Sequence, residues 1–275
     1  MPTSDDHSLA AQLAGRAGEL LLALRAQGGD PATLRNAGDK QSHEFLMAEL
    51  AKERPDDAVL SEEGIDDKAR LTADRVWIVD PLDGTREFGE PGRVDWAVHV
   101  ALWARDAPAG PGGLIAGAVA LPAQHRVLST AAPVAAAGPA AGRPLRLVVS
   151  RTRASALVKD VAALLEAELV PCGSAGAKAA TVITGENDVY LHSGGFYEWD
   201  TAAPAAVAAA SGCHVSRIDG SPVVYNREDP LLPDILVCRP AIAGLLLSAV
   251  KKASAVKNVS AVKNVSAIRE AKHAI

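Results

Sequence analysis

Val76-Trp77-Ile78-Val79-Asp80-Pro81-Leu82-Asp83-Gly84-Thr85 joins an apolar strand to a kinked turn that carries two carboxylates three residues apart. In a regular strand, side chains alternate between faces. Pro81 and Gly84 supply a kink that lets Asp80, Asp83 and the Leu82 carbonyl converge, with the Thr85 hydroxyl in reach. Such a convergence of oxygens suits magnesium, which takes oxygen ligands in near-octahedral geometry. Asp-Gly is also a common turn dipeptide, so these residues taken alone describe a solvated loop. The pattern does not match an EF-hand loop, because Leu82 occupies a position that such a loop fills with an acid.

Three further segments supply what the turn lacks. Ala58-Val59-Leu60 runs as a strand into Ser61-Glu62-Glu63-Gly64, eighteen residues before Asp80 for Glu62. Adjacent acids on a strand point to opposite faces, so Glu62 is assigned to the cluster, and Glu63 faces outward or supports it from behind. Glu198-Trp199-Asp200-Thr201-Ala202-Ala203-Pro204 puts Asp200 where an Ala-rich helix running to about Ser211 would begin. Asp is a favoured N-cap, and both capping and metal ligation are open for it. Gly173-Ser174-Ala175-Gly176 follows the apolar Leu169-Val170. Helix N-terminal amides attract anions, and Gly lets them approach; the spacing lacks the G-x4-G-K-[ST] of a Walker loop, so the residues taken alone read as a small-residue packing turn.

The acid pair, D-P-x-D-G-T and W-D-x-A-A, in this order and spacing, resemble the magnesium-dependent, lithium-sensitive phosphomonoesterases of the inositol monophosphatase superfamily, over the chain up to about Val250. Three details are similar to its 3'(2'),5'-bisphosphate nucleotidase branch, the CysQ-type enzymes. Arg86-Glu87-Phe88 stands where inositol enzymes usually carry T-N-F; Ala175-Gly176-Ala177-Lys178 resembles the nucleotidase A-G-x-K; and Ser193, seven residues before Asp200, replaces a glutamate that contacts an inositol hydroxyl. One departure concerns the T-x-x-D segment usual after the first helix. The corresponding place reads Asp39-Lys40-Gln41-Ser42, with Ser42 at the acid's position. Asp39, one helical turn earlier, either substitutes for that acid or caps the helix through Phe45 and Leu50.

The resemblance implies an α/β (α+β) fold, the layered αβαβα sandwich of the inositol-monophosphatase and sugar-phosphatase enzymes. It implies two Mg2+ ions, or three, with Glu62, Asp80 and the Leu82 carbonyl on the first and Asp80, Asp83 and Asp200 on the second. Two such ions, about 4 Å apart, would clamp the attacking and leaving oxygens of an in-line displacement. Thr85, with Glu62 or Glu63, would orient the water, and Asp39 would take the place of the missing acid. Gly84, Thr85, Arg86, Ser174 and Lys178 would meet the substrate. The implied substrate is 3'-phosphoadenosine 5'-phosphate (PAP), giving AMP and phosphate in sulfate assimilation. An inositol or fructose-bisphosphate phosphatase is the alternative within enzymes, and a degenerate metal-binding regulatory module the alternative outside them. The implied oligomer is a homodimer.

The rest of the chain fits this frame. Its 275 residues, 48% hydrophobic, suffice for a large core. A net charge of −5 lacks the basic balance of a nucleic-acid binder. Three widely spaced cysteines, Cys172, Cys213 and Cys238, suggest neither a disulfide framework nor a zinc site. The polar Met1 to His7 carries no signal pattern and no apolar run reaches eighteen residues, so a cytoplasmic protein without a membrane partner is expected. Leu9, Leu13, Ala17, Leu20, Leu21 and Leu24 repeat at helical spacing up to Gly28-Gly29. Trp96, Val98, Val100 and Leu102 alternate in one strand, and Leu114 to Leu121 form its neighbour. His99, between apolar neighbours, reads as a packed structural residue. Residues 1–130 form one half carrying the acid pair and the metal turn. The unpatterned Ala131 to Pro144 is a linker. Residues 145–250 form an α/β half opening with strand Leu145 to Val149 and a helix from Ala154 to Glu168. Residues 251–275 repeat Ser-Ala-Val-Lys-Asn-Val and read as an exposed helical extension or a partner-binding helix.

Overall fold

Leucine and alanine spacing at the N-terminus folds as helix α1 (Asp6–Ala26), with the Asp5 carboxylate accepting from the His7 amide. Gly28 and Gly29, at φ +70 and +121, end it. Helix α2 (Pro31–Glu53) then starts on Asp30, whose side chain accepts from the Thr33 amide. Pro31 fits its first turn, where an N–H would lack a helical partner anyway. This start lies nine residues before Asp39, which therefore sits inside the helix and caps nothing. The computed structural model describes residues 5–107, 113–135, 142–152 and 154–255.

Two five-stranded sheets follow. The first comprises β1 (Ala58–Ser61), β2 (Arg75–Asp83), β3 (Ala97–Ala104), β4 (Leu114–Leu121) and β5 (Arg126–Ser129), in that spatial order, with β1 parallel to β2 and every other neighbour antiparallel. A short helix, α3 (Thr85–Gly89), leaves β2. The second comprises β6 (Arg146–Ser150), β7 (Glu168–Cys172), β8 (Val189–Tyr197), β9 (His214–Ser216) and β10 (Leu231–Cys238), in the order β7-β6-β8-β10-β9. Its helices are α4 (Ala156–Leu164), α5 (Ala175–Ile183), α6 (Glu198–Ala210) and α7, residues 240–255.

The elements stack as the expected αβαβα sandwich. On the outer face of the first sheet, Leu13, Leu21 and Leu46 of α1 and α2 pack on Trp77, Val79 and Val100. Between the sheets, Val182 and Val207 of α5 and α6 pack on Ile78 and Val119 of the first and Val148 and Ile235 of the second. On the far side, Val161 of α4 and Leu246 of α7 cover Leu147 and Leu236. The alanine-rich face of α6 lets it lie close to β4: a Cβ on Gly117 would stand 2.8 Å from that of Ala206. Because α5 and α6 belong to the later half but pack on the first sheet, both halves share one core.

Some boundaries differ from expectation. The helix expected from Ala154 to Glu168 ends at Leu164, since Glu166 turns at φ +49 and Glu168 pairs with Arg146 as a strand. Helix α6 starts at Glu198 with Tyr197 as N-cap, so Asp200 is not the cap. Its carboxylate instead accepts from the Tyr197 amide at 2.6 Å, closing a capping box. The expected linker lies partly outside the described residues, and the repeats beyond residue 255 lie wholly outside them.

Candidate active site

The metal turn is not a loop beyond the strand but a bulge inside β2. Asp80 pairs with His99 of β3 and Asp83 with Ala97, so three steps on β2 face two on β3. One extra residue cancels the odd spacing. Asp80 and Asp83 thereby share a face with His99, towards α5 and α6, while Leu82 turns into the opposite core. The buried Ser42 hydroxyl donates to the Pro81 carbonyl at 2.7 Å, tying α2 to the bulge, and the Leu82 amide donates to Asp80 Oδ1 at 3.0 Å. Glu62 arrives from the end of β1, where its amide bonds the Val79 carbonyl, and Asp200 from the first turn of α6.

These four carboxylates crowd one another. Burial, then the charges of Glu62 and Asp83, raise Asp80 well above the ordinary carboxylate range. Glu62 opens to the cleft, yet the protein around it and the charge of Asp200 push it up to about 7. Burial and Asp83 push Asp200 up to about 6. Asp83 goes the other way: burial raises it, but His99, Lys178 and the Ser174 hydrogen bond prevail and hold it below its ordinary value. Its Oδ2 accepts from the Ser174 hydroxyl at 2.5 Å and the Gly176 amide at 2.8 Å, and lies 3.1 Å from His99 Nε2. His99 Nδ1 faces the Trp199 carbonyl at 3.1 Å. Both facing oxygens are acceptors; burial lowers the His99 pKa, but the charge of Asp83 beside it prevails and holds it above its ordinary value.

A second group lies beside the first. The Thr85 hydroxyl is 3.0 Å from the Leu82 carbonyl and 3.3 Å from Asp39 Oδ1. Burial, then the charge of Glu63, push Asp39 up to about 6. Asp39 thus faces the site, while Ser42, one helical turn beyond it, faces the bulge backbone.

The carboxylates line an open cleft of about 420 Å³ with Gly84, Thr85, Arg86, Ser174 and Lys178 on its walls. Arg86 is exposed at the mouth, 3.5 Å from the Thr152 hydroxyl. Ser174 is the N-cap of α5, its hydroxyl accepting from the Ala177 amide. The buried Lys178 ammonium donates to the Gly173 and Ser174 carbonyls, so it clamps the turn before α5. Ser193 bonds the Ser155 hydroxyl at 2.7 Å and does not line the cleft.

A family model described as the inositol monophosphatase family matches residues 8–255. The chain belongs to that family. A 3'-phosphoadenosine 5'-phosphate phosphatase of Mycobacterium tuberculosis is 53% identical over 241 residues, 86% of this chain and 90% of that protein. The 3'(2'),5'-bisphosphate nucleotidase CysQ of Escherichia coli is 33% identical over 71% of this chain and 81% of its own length. Among solved structures, the inositol monophosphatase II of Staphylococcus superposes with a TM-score of 0.73 at 19% identity, over 92% of this chain and 96% of that one. CysQ from Bacteroides thetaiotaomicron superposes at 0.68 with 27% identity, over 86% and 98%.

For an inositol monophosphatase family member the donor set suits a hard divalent cation. Glu62, Asp80, Asp83 and Asp200 offer oxygens, and burial together with the charge of neighbouring carboxylates makes three of them bind protons with unusual strength. Ligand atoms of Asp80, Asp83 and His99 also lie within 4.8 Å of one another. Both ring nitrogens of His99 face protein oxygens, so the carboxylates form the better ligand set. Sequence reading missed His99 as part of the site; its signal was strand alternation, since Ala97, His99 and Ala101 form the face opposite Val98 and Val100. It also missed Arg151, His192 and Phe196 on the cleft walls, which reach it only through the packing of the second sheet.

Proposed function

We propose that this chain is a magnesium-dependent 3'(2'),5'-bisphosphate nucleotidase that hydrolyses PAP to AMP and phosphate. The observation that carries the reading is the convergence of Glu62, Asp80, Asp83 and Asp200, from three separate elements, on the floor of one cleft. The M. tuberculosis relative, named for that substrate, supports the choice within the family, and so do the CysQ relatives, named as 3'(2'),5'-bisphosphate nucleotidases. Glu62, Asp80 and the Leu82 carbonyl would hold one Mg2+, and Asp80, Asp83 and Asp200 a second. Bound Mg2+ supplies a lowered water pKa and neutralises charge developing on the phosphoryl group.

The remaining chemistry belongs to side chains. Thr85 and Asp39 form a hydroxyl–carboxylate pair that orients the attacking water: the water gives a proton to Thr85 Oγ1 as the Thr85 proton passes to Asp39. An acid with a pKa of about 6 accepts such a proton near neutral pH and returns it to solvent. Glu63, whose charge helps raise Asp39, acts on this pair rather than on the water. Gly84 and Thr85 would receive the reacting phosphate, and Arg86 at the mouth the second one. Ser174 and Lys178 would contribute by shaping the turn they already bond.

Phosphate release from PAP, inositol 1-phosphate and fructose 1,6-bisphosphate, with magnesium, with chelator and with lithium, tests this reading. The expected result is magnesium-dependent preference for PAP, suppressed by lithium. Preference for inositol 1-phosphate or the sugar would overturn the nucleotidase assignment.

A further inference from the structure

We propose that His99 is a positioning residue that sets the spacing between Asp83 and Asp200, and that Gly176 is a glycine in order to leave His99 room. The proposal rests on the reading of the carboxylates as the Mg2+ site. Asp83 comes from the β2 bulge and Asp200 from α6, and among the described residues no hydrogen bond or ion pair is found directly between them. His99 spans the gap, with Nε2 3.1 Å from Asp83 Oδ2 and Nδ1 3.1 Å from the carbonyl of Trp199, the residue before Asp200. The ring is fully buried, so its orientation is fixed on both edges. The Ser174 hydroxyl and the Gly176 amide donate to Asp83 Oδ2 and His99 Nε2 stands beside it, which leaves Oδ1 as the oxygen for a cation. Side chains that orient ligands in this way are worth about 10–100-fold in metal affinity.

Gly176 closes the arrangement. Its amide donates to the same Asp83 oxygen, and a Cβ built on it would lie 2.1 Å from His99 Nε2, with Val119 behind at 2.9 Å. A methyl group there must move the ring, because separations under about 3 Å are closer than packed heavy atoms approach. The glycine of the Ala175-Gly176-Ala177-Lys178 segment thus serves the metal site through His99.

Binding of Mn2+ to the full-length protein without substrate, followed by the electron paramagnetic resonance of free Mn2+, tests this. His99→Leu is expected to weaken binding about 10–100-fold. His99→Gln, which keeps a donor to Asp83, is expected to lose less. Gly176→Ala is expected to weaken binding although every ligand and His99 remain. Wild-type affinity in a folded His99→Leu protein overturns the proposal. Should that variant not fold, wild-type affinity in both His99→Gln and Gly176→Ala does so. Failure of the wild type itself to bind Mn2+ would instead overturn the metal-site reading, and the proposal with it.

Discussion

Asp83 carries its charge in a place where only protein donors and a cation can meet it. Asp83→Asn keeps the size of the side chain and an oxygen for the Gly176 amide but removes the charge. Since a supporting residue costs about 10–100-fold, a direct ligand is expected to cost at least about 100-fold in phosphate release. The unfolding midpoint measured in chelator should stay close to that of the wild type. The same crowding sets a pH dependence. Glu62 rises from 4.5 to about 7 and Asp200 from 3.8 to about 6, so the folded chain binds more protons than the unfolded one across that window. Their contribution is fully present below about pH 4 and is lost as pH rises through 6 to 7. Metal-free protein is therefore expected to melt at a lower temperature at pH 8 than at pH 5, with Mg2+ restoring the difference because it binds the ionised form. A metal-free midpoint that rises from pH 5 to pH 8 would contradict this.

At the scale of elements, the first turn of α6 is held from below by Glu198. Both of its fully buried carboxylate oxygens accept backbone amides, from Asn226 at 2.7 Å and Arg227 at 2.8 Å. Glu198→Ala leaves those donors without partners and is expected to cost about 1–3 kcal/mol, read from urea unfolding, and to weaken Mg2+ activation because Asp200 rides on the same turn. Unchanged stability would show that water replaces the carboxylate without loss. Much at this scale was legible from residues: Gly28-Gly29 ended α1, and Leu114 to Leu121 formed a strand beside the one carrying Val98 to Leu102, though Trp96 lies just before that strand. The bulge was not, because Asp-Pro-Leu-Asp-Gly carries turn chemistry that suits a loop as well as an extra residue within a ladder. Only pairing with His99 and Ala97 distinguishes them.

For the whole molecule, five layers divide labour. The outer pair α4 and α7 seals the second sheet, and Leu246 of α7 is fully buried there, away from the cleft. Leu246→Ala is expected to cost about 2–5 kcal/mol while leaving the Mg2+ concentration for half-maximal activity unchanged. The layering was legible only through the family resemblance, and the four carboxylates because local motifs carried them. The walls of the cleft were not, since Arg151, His192 and Phe196 come from strands and turns whose approach depends on long-range packing. Whether Asp39 turned to the site or capped a helix stayed open for a related reason: only the hydrogen bond to Thr85 shows which turn of α2 faces the site. The decisive measurement is the rate of phosphate release from PAP as Mg2+ is titrated into the wild type and Asp83→Asn. Saturable activation of the wild type and none of the variant is expected. Turnover that ignores magnesium, or a variant as active as the wild type, would contradict the metal-assisted nucleotidase.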